Sequence, residues 1–458
     1  MSEVRRAYSA DIAVIGGGPS GVAAAIAAGR AGARVVLIER LGYLGGMSTA
    51  ALVWPLMTFH AQSGQIIAGI GQEIVDRLQQ LGFSPGHVPD TIGFVPTVTP
   101  VEPEGMKLVT MEMVRESGVQ LLLHQLVSEV HAADGRIDHI ILTGLYGSML
   151  VEARAFVDCT GIARLVEAAG GQVAAGREAD AMTQPGTLMF RVSGVDMSEV
   201  VKYMKENPDD FVLGSSPDML DPKQSIGVAG FFSKLAGAVK TGEFGINRDR
   251  LLFFSGIHSD EVIVNVTRVK GIDQRDPFDV TRAEAEGLLQ AHQVFRFMKE
   301  HIPGFGKSRL AQTGSQIGIR ESARPVGHYI LTQDDLIEGR EFDDGIARGA
   351  FPIDIHSPDG KGLTAIRLKR SYAIPYRSLV PIRLTNVITA GRAISVTHEA
   401  YASTRVMPTC FATGHAAGVA AAVAVRQGGQ AAIFADVDVK QVRQDLAAAG
   451  AILHEGME

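Results

Sequence analysis

The chain has 458 residues, which is longer than one average domain, so its length predicts two domains or one large domain with an insertion. Hydrophobic residues make up 46% and charged residues 20%, which excludes a disordered chain, and the net charge of −7 argues against a nucleic-acid-binding surface. Two cysteines, Cys159 and Cys410, exclude a disulfide framework and favour a reducing compartment. No signal-peptide pattern and no run of about 20 consecutive apolar residues is present, so we expect a cytoplasmic protein without a membrane span.

Near the N-terminus lies the pattern of a dinucleotide-binding unit. A short apolar strand, Asp11–Ile15, precedes the glycine-rich stretch Gly16–Gly21, an alanine-rich helix and a second apolar strand that ends at Glu39. In G-x-G-x-x-G the first glycine permits a tight turn, the second lets a pyrophosphate approach the backbone, and the third lets helix and strand pack closely. The helix N-terminus offers N–H groups to the phosphates, and the Glu39 carboxylate can accept hydrogen bonds from ribose hydroxyls. An acid at this position disfavours a 2′-phosphorylated nucleotide.

The rest of the chain alternates helical and strand-like segments, and the sequence pattern changes near residue 185. We predict an α/β fold with a Rossmann-type nucleotide-binding domain in residues 1–184, an inserted α+β substrate domain in 185–370, and a return to the first domain in 371–458. The predicted elements are helices Gly71–Gly82 and Met106–Ser117, strand Val119–His124, two antiparallel strands and a third strand between Arg136 and Asp158, strands within 188–195 and 261–269, helices Met197–Asn207 and Thr281–His301, strand Asn386–Ala390, and an apolar helix Thr409–Arg426.

Several separated motifs together resemble one protein family. The chain resembles FAD-dependent oxidoreductases of the glutathione-reductase-like flavoprotein class, and it is distantly similar to the flavoproteins of fumarate reductase and succinate dehydrogenase. Three positions depart from the family's usual residues. Ile162 stands where the family usually has an acidic residue, Ala323 where it has Arg, and His415 where it has Gln. The motifs that carry the resemblance are Gly16–Gly21, Leu44–Thr49, Val157–Gly161, Ile317–Asp335, Phe351–Pro358, Ile374–Pro381 and Asn386–Ala422.

The resemblance implies that the cofactor is FAD and extends the set of residues expected to bind it. The glycine-rich pattern alone places the pyrophosphate at Gly16, Gly18, Pro19, Ser20 and Gly21, and the ribose at Glu39. The resemblance adds Arg40 and Val127 at the adenine, Thr160 and Gly161 on the adenosine side, Gly45, Gly46, Met47 and Ser48 below the ribityl chain and ring, Gly391 and Arg392 near the pyrophosphate, and Gly414, Ala416 and Ala417 in a helix whose N-terminus, near Thr413, faces the flavin.

Candidate catalytic residues lie near the end of the matched region. His398 is expected to act as acid or base and Arg405 to anchor an anion, since both lie between the Gly-Arg motif and the flavin-facing helix. Glu321 has a structural alternative, an ion pair with a neighbouring arginine, and His60 is a candidate for a covalent flavin link, with a packing role as its alternative. Further candidates are Arg320, Glu321, Arg324, His328 and His356.

The sequence therefore predicts an FAD-dependent dehydrogenase or oxidase that oxidises a small polar metabolite by hydride transfer to the flavin. A metabolite that bears a carboxylate is one option. One alternative is reduction of an activated C=C bond, and another is a non-redox or electron-transfer subunit. The sequence has no second dinucleotide motif and no metal-ligand spacing, so we expect an unidentified electron acceptor other than NAD(P) and no metal. We expect no nucleic-acid partner, and the oligomeric state stays open, with a homodimer as one option.

Overall fold

The computed structural model describes residues 4–145, 147–357, 363–428 and 432–456, so Pro358, the last residue of one motif, lies outside the described residues.

Two large β-sheets and the helices around them form most of the fold. Up to residue 174 the elements are β1 (Val4–Ile15), α1 (Pro19–Arg30), β2 (Val35–Ile38), α2 (Met47–Ala50), β3 (His60–Ala61), β4 (Gly64–Gln65), α3 (Ile70–Gln80), β5 (Val88–Pro89), β6 (Thr97–Val98), α4 (Pro103–Glu116), β7 (Gln120–Leu122), β8 (Leu126–Ala133), β9 (Arg136–Gly144), β10 (Gly147–Asp158), α5 (Arg164–Ala168) and β11 (Val173–Ala174).

The second part of the chain contains the remaining strands and helices. These are β12 (Phe190–Ser193), α6 (Met197–Glu206), β13 (Phe211–Val212), β14 (Gly227–Gly230), α7 (Phe232–Thr241), β15 (Leu251–Ser255), β16 (Glu261–Val264), α8 (Pro277–His301), β17 (Arg309–Thr313), β18 (Arg324–Pro325), α9 (Gln333–Glu338), β19 (Gly345–Gly349), β20 (Ile353–His356), β21 (Leu363–Ile366), β22 (Tyr372–Pro375), β23 (Val387–Thr389), α10 (His398–Thr404), α11 (Met407–Gln427) and α12 (Val439–Ala448).

The larger sheet has seven strands and confirms the Rossmann-type α/β fold. Its order is β7-β2-β1-β10-β9-β8, and β23 pairs with the C-terminal half of β10. The strands β7, β2, β1, β10 and β23 run parallel, whereas β9 and β8 are antiparallel. Alternate residues of β1 enter opposite cores, since Ile12 and Val14 pack with the helices of one face and Ala13 and Ile15 pack on the other. Apolar residues on both faces are typical of a sheet covered on both sides.

The segment between Arg136 and Asp158 differs from the prediction, because it forms two strands rather than three. β10 pairs with β1 in parallel from Ser148 to Asp158, and its first half, Gly147–Glu152, also pairs with β9 in antiparallel. The first half contains buried, partly buried and exposed residues, and the last four residues are all buried. One strand therefore has a parallel and an antiparallel neighbour in its partly solvated first half and ends as a fully covered parallel strand.

Helix α11 crosses the larger sheet next to α1 at close range. A Cβ atom at Gly414 would lie 2.2 Å from the carbonyl oxygen of Ser20, and one at Gly418 would lie 2.2 Å from that of Ala24. Only glycine permits such an approach of two helix backbones. By length and composition α11 could also cross a membrane, but 94% of its most apolar window is buried inside the protein, so core packing accounts for its apolar sequence.

The second sheet has six antiparallel strands in the order β13-β14-β15-β16-β12-β17 and its own hydrophobic core with α6, α7 and α8. Helix α8 begins at Pro277, earlier than the predicted Thr281, because the Asp276 side chain accepts a hydrogen bond from the Phe278 N–H at 2.9 Å. The domain boundaries at residues 184 and 370 stay predictions. Residues such as Leu331 and Ile353 pack in the same core as β1, which favours an earlier end of the insertion.

Candidate active site

One cavity of about 1270 Å³ runs from the glycine-rich turn after β1 to the six-stranded sheet. Parallel strands bring their carboxyl ends to one edge of the sheet, and the turns after β1, β2 and β10 form the first end of this cavity. Strand β15, the residues that follow β16, and β20 form the other end. The cavity exceeds the roughly 300–1,000 Å³ of a typical small-molecule site, so it has room for a large ligand.

The glycine-rich turn has the geometry that a pyrophosphate requires. Gly16 adopts φ +100°, and a Cβ atom there would lie 2.5 Å from the carbonyl oxygen of Cys159. At Gly21 a Cβ atom would lie 1.7 Å from the carbonyl oxygen of Gly16, so this glycine lets α1 pack against the turn. Apart from its chain neighbours, the nearest described atom to a Cβ at Gly18 would be Gly46 Cα at 3.9 Å, so this Cβ would project into open space at the cavity wall. The three glycines therefore fit the turn, packing and ligand-approach roles.

Glu39 lies at the end of β2, on the cavity wall, with 7% of its surface exposed. Its carboxylate accepts hydrogen bonds from the Gly17 N–H at 2.6 Å and the Leu41 N–H at 2.8 Å. These bonds fix the carboxylate beside the glycine-rich turn, where ribose hydroxyls of a dinucleotide can reach it. Arg40 and Val127 line the same end of the cavity, and Arg40 donates to the side chain of Gln316.

The turn after β10 is held by Asp158, which is fully buried. Its carboxylate accepts hydrogen bonds from the Thr160 hydroxyl at 2.6 Å and from the Leu165 N–H at 2.8 Å, and burial raises the pKa of this carboxyl group. These bonds present Thr160 and Gly161 to the cavity. The Arg392 guanidinium covers Gly161 and donates to the Ile319 carbonyl, so it lies at the wall as a donor for a phosphate.

At the far end of the cavity two arginines and an acid–histidine pair lie together. Arg405 donates to Asp354 Oδ2 at 3.3 Å, and His356 Nε2 lies 3.2 Å from the same oxygen. Arg320 is held through Nη1, which donates to the Pro185 carbonyl at 2.7 Å and to the hydroxyl of Thr187 at 2.6 Å. Arg320, Arg405, Asp354 and His356 all line the cavity.

The charges at this end act on one another. Burial and the Arg320 charge lower the pKa of His356 to about 3, so the imidazole is neutral at neutral pH. Burial opposes ionisation of Asp354, but the hydrogen bond from His356 and the guanidinium charges of Arg405 and Arg320 hold its pKa below the usual range. Burial, followed by repulsion from Arg405, lowers the pKa of Arg320. Two guanidinium groups that repel each other around a single carboxylate favour a bound anion.

A family model described as "FAD dependent oxidoreductase" matches residues 11–446 of the chain. The chain belongs to this family. The protein is therefore an FAD-dependent oxidoreductase, and its cofactor is FAD, in agreement with the geometry of the glycine-rich turn. No curated protein sequence matches the chain.

Several solved structures are similar to this FAD-dependent oxidoreductase at low identity, which carries no information about substrate. They include a geranylgeranyl bacteriochlorophyll reductase-like protein from Thermoplasma acidophilum (11% identity, TM-score 0.46, 96% of this chain and 83% of that chain). Flavin-dependent brominase Bmp2 is similar at 12% identity and TM-score 0.48, over 96% of this chain and 84% of that chain. The p-nitrophenol 4-monooxygenase PnpA from Pseudomonas putida DLL-E4 is similar at 13% identity and TM-score 0.47, with the same coverage.

Most residues predicted to bind FAD in this oxidoreductase line the cavity, and the others lie behind its wall. The cavity is lined by Gly16, Gly18, Pro19, Ser20, Glu39, Arg40, Gly46, Met47, Val127, Thr160, Gly161 and Arg392. The residues that shape the surrounding turns and helices without lining the cavity are Gly21, Gly45, Ser48, Gly391, Gly414, Ala416 and Ala417.

The predicted start of the flavin-facing helix near Thr413 is wrong. Helix α11 begins at Met407, because Pro408 is accommodated in the first turn, where its missing N–H is not needed. Gly414, Ala416 and Ala417 therefore lie inside the helix, where Gly414 contacts α1. The residues that α11 and the residue before it present to the cavity are Val406, Met407 and Cys410. Burial raises the pKa of Cys410 to about 12, which makes this thiol a poor nucleophile.

The predicted acid or base His398 lies outside the cavity lining. It is buried, and its Nδ1 lies 2.8 Å from Glu321 Oε1, an oxygen that also accepts from Arg324 Nη1 at 2.6 Å. Glu321 thus forms the structural ion pair that is its alternative role, and this network holds His398. His328 is exposed and faces a separate surface depression with Asp344. A catalytic role for His398 or His328 stays a prediction, and the geometry favours His356 instead.

His60 does not line the cavity either. Its Nδ1 lies 3.0 Å from the Thr97 hydroxyl, its ring packs on that of His87, and burial lowers its pKa. A packing role fits these contacts. One group of potential metal ligands, Glu102, His258 and Glu261, lies close together, but Arg191 pairs with Glu102 at 3.1 Å and with Glu261 at 3.3 Å.

The sequence reasoning missed two arginines of this site, Arg248 and Arg268. Both line the far end of the cavity, on the inserted sheet. The sequence contains a pattern that could have indicated both residues, because Arg248 precedes β15 and Arg268 follows β16. An antiparallel pair places those two positions at the same end of a sheet.

Proposed function

We propose that the protein is an FAD-dependent dehydrogenase or oxidase that oxidises a small polar metabolite bearing a carboxylate. The observation that carries this proposal is the placement of Arg320 and Arg405 around Asp354 in the cavity that begins at the FAD-binding turn. FAD, when bound, accepts a hydride equivalent from the substrate. The residues of the chain then have to bind the substrate, keep water away from it and accept a proton.

Arg320 and Arg405 are suited to hold a carboxylate. Arg320 donates to Pro185 and Thr187 through Nη1, and Arg405 is positioned by Asp354 through Nη2. The Nε atom of Arg405 is buried and has no hydrogen-bond partner within the part of the chain that the structure describes. An anion between the two side chains would supply an acceptor and offset the repulsion between the charges.

His356 is the best-placed proton acceptor. The Asp354 carboxylate orients its ring through Nε2, and the neutral form is the one that can take a proton. An anionic substrate beside Arg320 would cancel part of the positive field that lowers the pKa of His356. Substrate binding would thereby make this histidine a stronger base at the moment when a proton has to leave.

Two alternatives use the same cavity. Reduction of an activated C=C bond, as in the distantly similar fumarate reductases, would use the arginines in the same way and His356 in its protonated form. A non-redox or electron-transfer role would need the FAD site alone. The buried free thiols of Cys159 and Cys410 suit the proposed cytoplasmic location. We propose that electrons leave the flavin to a quinone, an electron carrier, O2 or another substrate, because the sequence has one dinucleotide motif.

Anaerobic rapid mixing of the FAD-loaded protein with polar carboxylates tests the proposal. A substrate should bleach the flavin absorbance, and Arg320→Met should weaken its apparent binding by about tenfold or more, since a hydrogen bond to a charged group contributes roughly 1.5–3 kcal/mol. Arg426→Met, at the end of α11, where Arg426 pairs with Asp445, is the matched control and should change nothing.

Three other outcomes would contradict the proposal. If neutral alcohols bleach the flavin and bind with equal affinity to the Arg320→Met and Arg426→Met variants, the arginines do not bind the substrate. Reoxidation of the reduced protein by unsaturated acids, without bleaching by saturated ones, would favour C=C reduction. A flavin that responds to neither class would favour the non-redox role.

A further inference from the structure

We infer that the substrate carries a second anionic group, a carboxylate or a phosphate, which Arg248 and Arg268 bind. This inference rests on the proposed function and specifies its substrate class. We name the pair Arg248 and Arg268 the second anion site. The inserted six-stranded sheet provides it, whereas the first anionic group lies between Arg320 and Arg405.

The pairing of β15 with β16 builds the second anion site. Phe253 lies opposite Val264, so the chain before β15 runs beside the chain after β16. Arg248 donates through Nε to the Val266 carbonyl at 2.7 Å and through Nη2 to the Thr267 carbonyl at 3.2 Å. Each arginine is thus tied to backbone next to the other, because Arg268 donates in turn to the Asn247 carbonyl at 3.4 Å. The site is held by the sheet rather than by a free loop.

Neither guanidinium group of the second anion site lies within ion-pair distance of a carboxylate among the described residues, although the charges of Asp249 and Asp354 act on both. Arg405 has its ion pair with Asp354, and Arg250 pairs with Asp249 at 2.6 Å, but no ion pair involves Arg248 or Arg268. Arg268 is only 9% exposed. Burial and the neighbouring Arg268 charge lower the pKa of Arg248 to about 10. Two like charges held together in a partly buried wall are costly, and an anion offsets that cost.

Contacts link the second anion site to the first. Arg268 Nη2 lies 3.5 Å from His356 Nδ1, His356 Nε2 lies 3.2 Å from Asp354 Oδ2, and that oxygen lies 3.3 Å from Arg405 Nη2. All four side chains line the same cavity. One small molecule can therefore reach both pairs of arginines, and the candidate proton acceptor His356 lies between its two charged ends.

Equilibrium binding to the oxidised holoenzyme tests this inference without turnover. The probes are butyrate, glutarate, which is butyrate with a second carboxylate, and 3-phosphonopropionate, and the readout is perturbation of the flavin absorption spectrum. We expect glutarate or 3-phosphonopropionate to bind about tenfold or more tightly than butyrate, and the tighter of the two distinguishes a carboxylate from a phosphate as the second group. Arg268→Met should abolish this preference and leave butyrate binding unchanged.

Two variants control for loss of folding and of local charge. Arg268→Lys should keep most of the preference, and Arg250→Met, which removes a cavity arginine already paired with Asp249, should keep all of it. The inference is overturned if butyrate binds as tightly as both dianions, or if Arg268→Met weakens all probes equally. Failure of the proposed function looks different: the dianion preference is present, but no anionic metabolite exchanges electrons with the flavin.

Discussion

At the scale of single residues, two glycines of one turn have opposite physical reasons for lacking a side chain. At Gly21 a Cβ atom would collide with the carbonyl oxygen of Gly16, whereas at Gly18 it would project into open cavity. Gly18 also has backbone angles of φ −73° and ψ −175°, which any residue adopts. The motif therefore separates into a glycine that the fold needs and a glycine that only the ligand needs.

This difference predicts separable effects of two alanine substitutions. Gly18→Ala should leave the thermal midpoint of the FAD-free protein unchanged and weaken FAD binding by about tenfold or more, because the methyl group occupies space that the pyrophosphate needs. Gly21→Ala should lower the thermal midpoint of the FAD-free protein itself. Calorimetry with and without FAD measures both effects.

The control for these substitutions is Gly237→Ala, because a Cβ atom at this position of α7 meets nothing within 4 Å. It should be neutral or stabilise by up to about 1 kcal/mol, as expected for glycine replaced inside a helix, with FAD affinity unchanged. Equal losses of stability for Gly18→Ala and Gly21→Ala would contradict the assigned roles.

At the scale of elements, the contact between α1 and α11 sets the position of the cavity wall. Both helices reach the cavity with their N-terminal residues, through Ser20 on α1 and Met407 and Cys410 on α11. The N-terminus of a helix favours negative charge, so we expect α11 to stabilise an electron-rich ligand at that wall. Small residues at the contact, above all Gly414 and Gly418, decide how close the two N-termini lie.

Gly418→Val should therefore be strongly destabilising although no ligand touches this residue. The new side chain would meet the Ala24 backbone, and overpacking of this kind costs about 1–3 kcal/mol or more in the free energy of unfolding. Gln427→Ala, at the exposed end of the same helix, is the control and should stay within about 0.5 kcal/mol of the unmodified protein. Denaturant titration decides, and an unchanged midpoint for Gly418→Val would show that the helices can separate freely.

At the scale of the whole molecule, buried neutral histidines tie stability to pH. Burial lowers the pKa of His87 and His415 to about 4 and that of His356 to about 3. The unfolded chain takes up protons on these rings near pH 6.5, while the folded protein does so only near pH 3 to 4. Their contribution is present above pH 6.5 and is lost as the pH falls toward the folded-state pKa values.

His415→Gln isolates one of these contributions. The free energy of unfolding should fall less steeply between about pH 6.5 and 4.5 than in the unmodified protein, by at most about 1.4 kcal/mol per pH unit, because one proton fewer is taken up on unfolding. His292→Gln, at an exposed site on α8, should keep the original slope. Identical slopes for all three proteins would mean that the His415 ring is protonated in the folded state.

How well the sequence predicts a feature depends on how far apart along the chain the residues that determine this feature lie. The turn at Gly16–Gly21 and the carboxylate of Glu39 are encoded within one βαβ unit, so local pattern predicts them and the structure brings them together. The second anion site depends on the register of β15 and β16 within an inserted sheet. His398 lies within a family motif, but Glu321 holds it outside the cavity lining, and sequence spacing contains no information about that contact.

The chain has a single tryptophan, Trp54, and this residue lies in the wall of the cavity against the edge of Phe254, with ring centroids 6.2 Å apart. Indole emission overlaps the absorption of oxidised flavin, so resonance energy transfer couples this one fluorophore to the cofactor. Emission that dims on addition of FAD, with no other tryptophan to dilute the signal, counts occupied molecules directly. The fluorescence of Trp54 therefore reports the fraction of the protein that has bound FAD, without an added label.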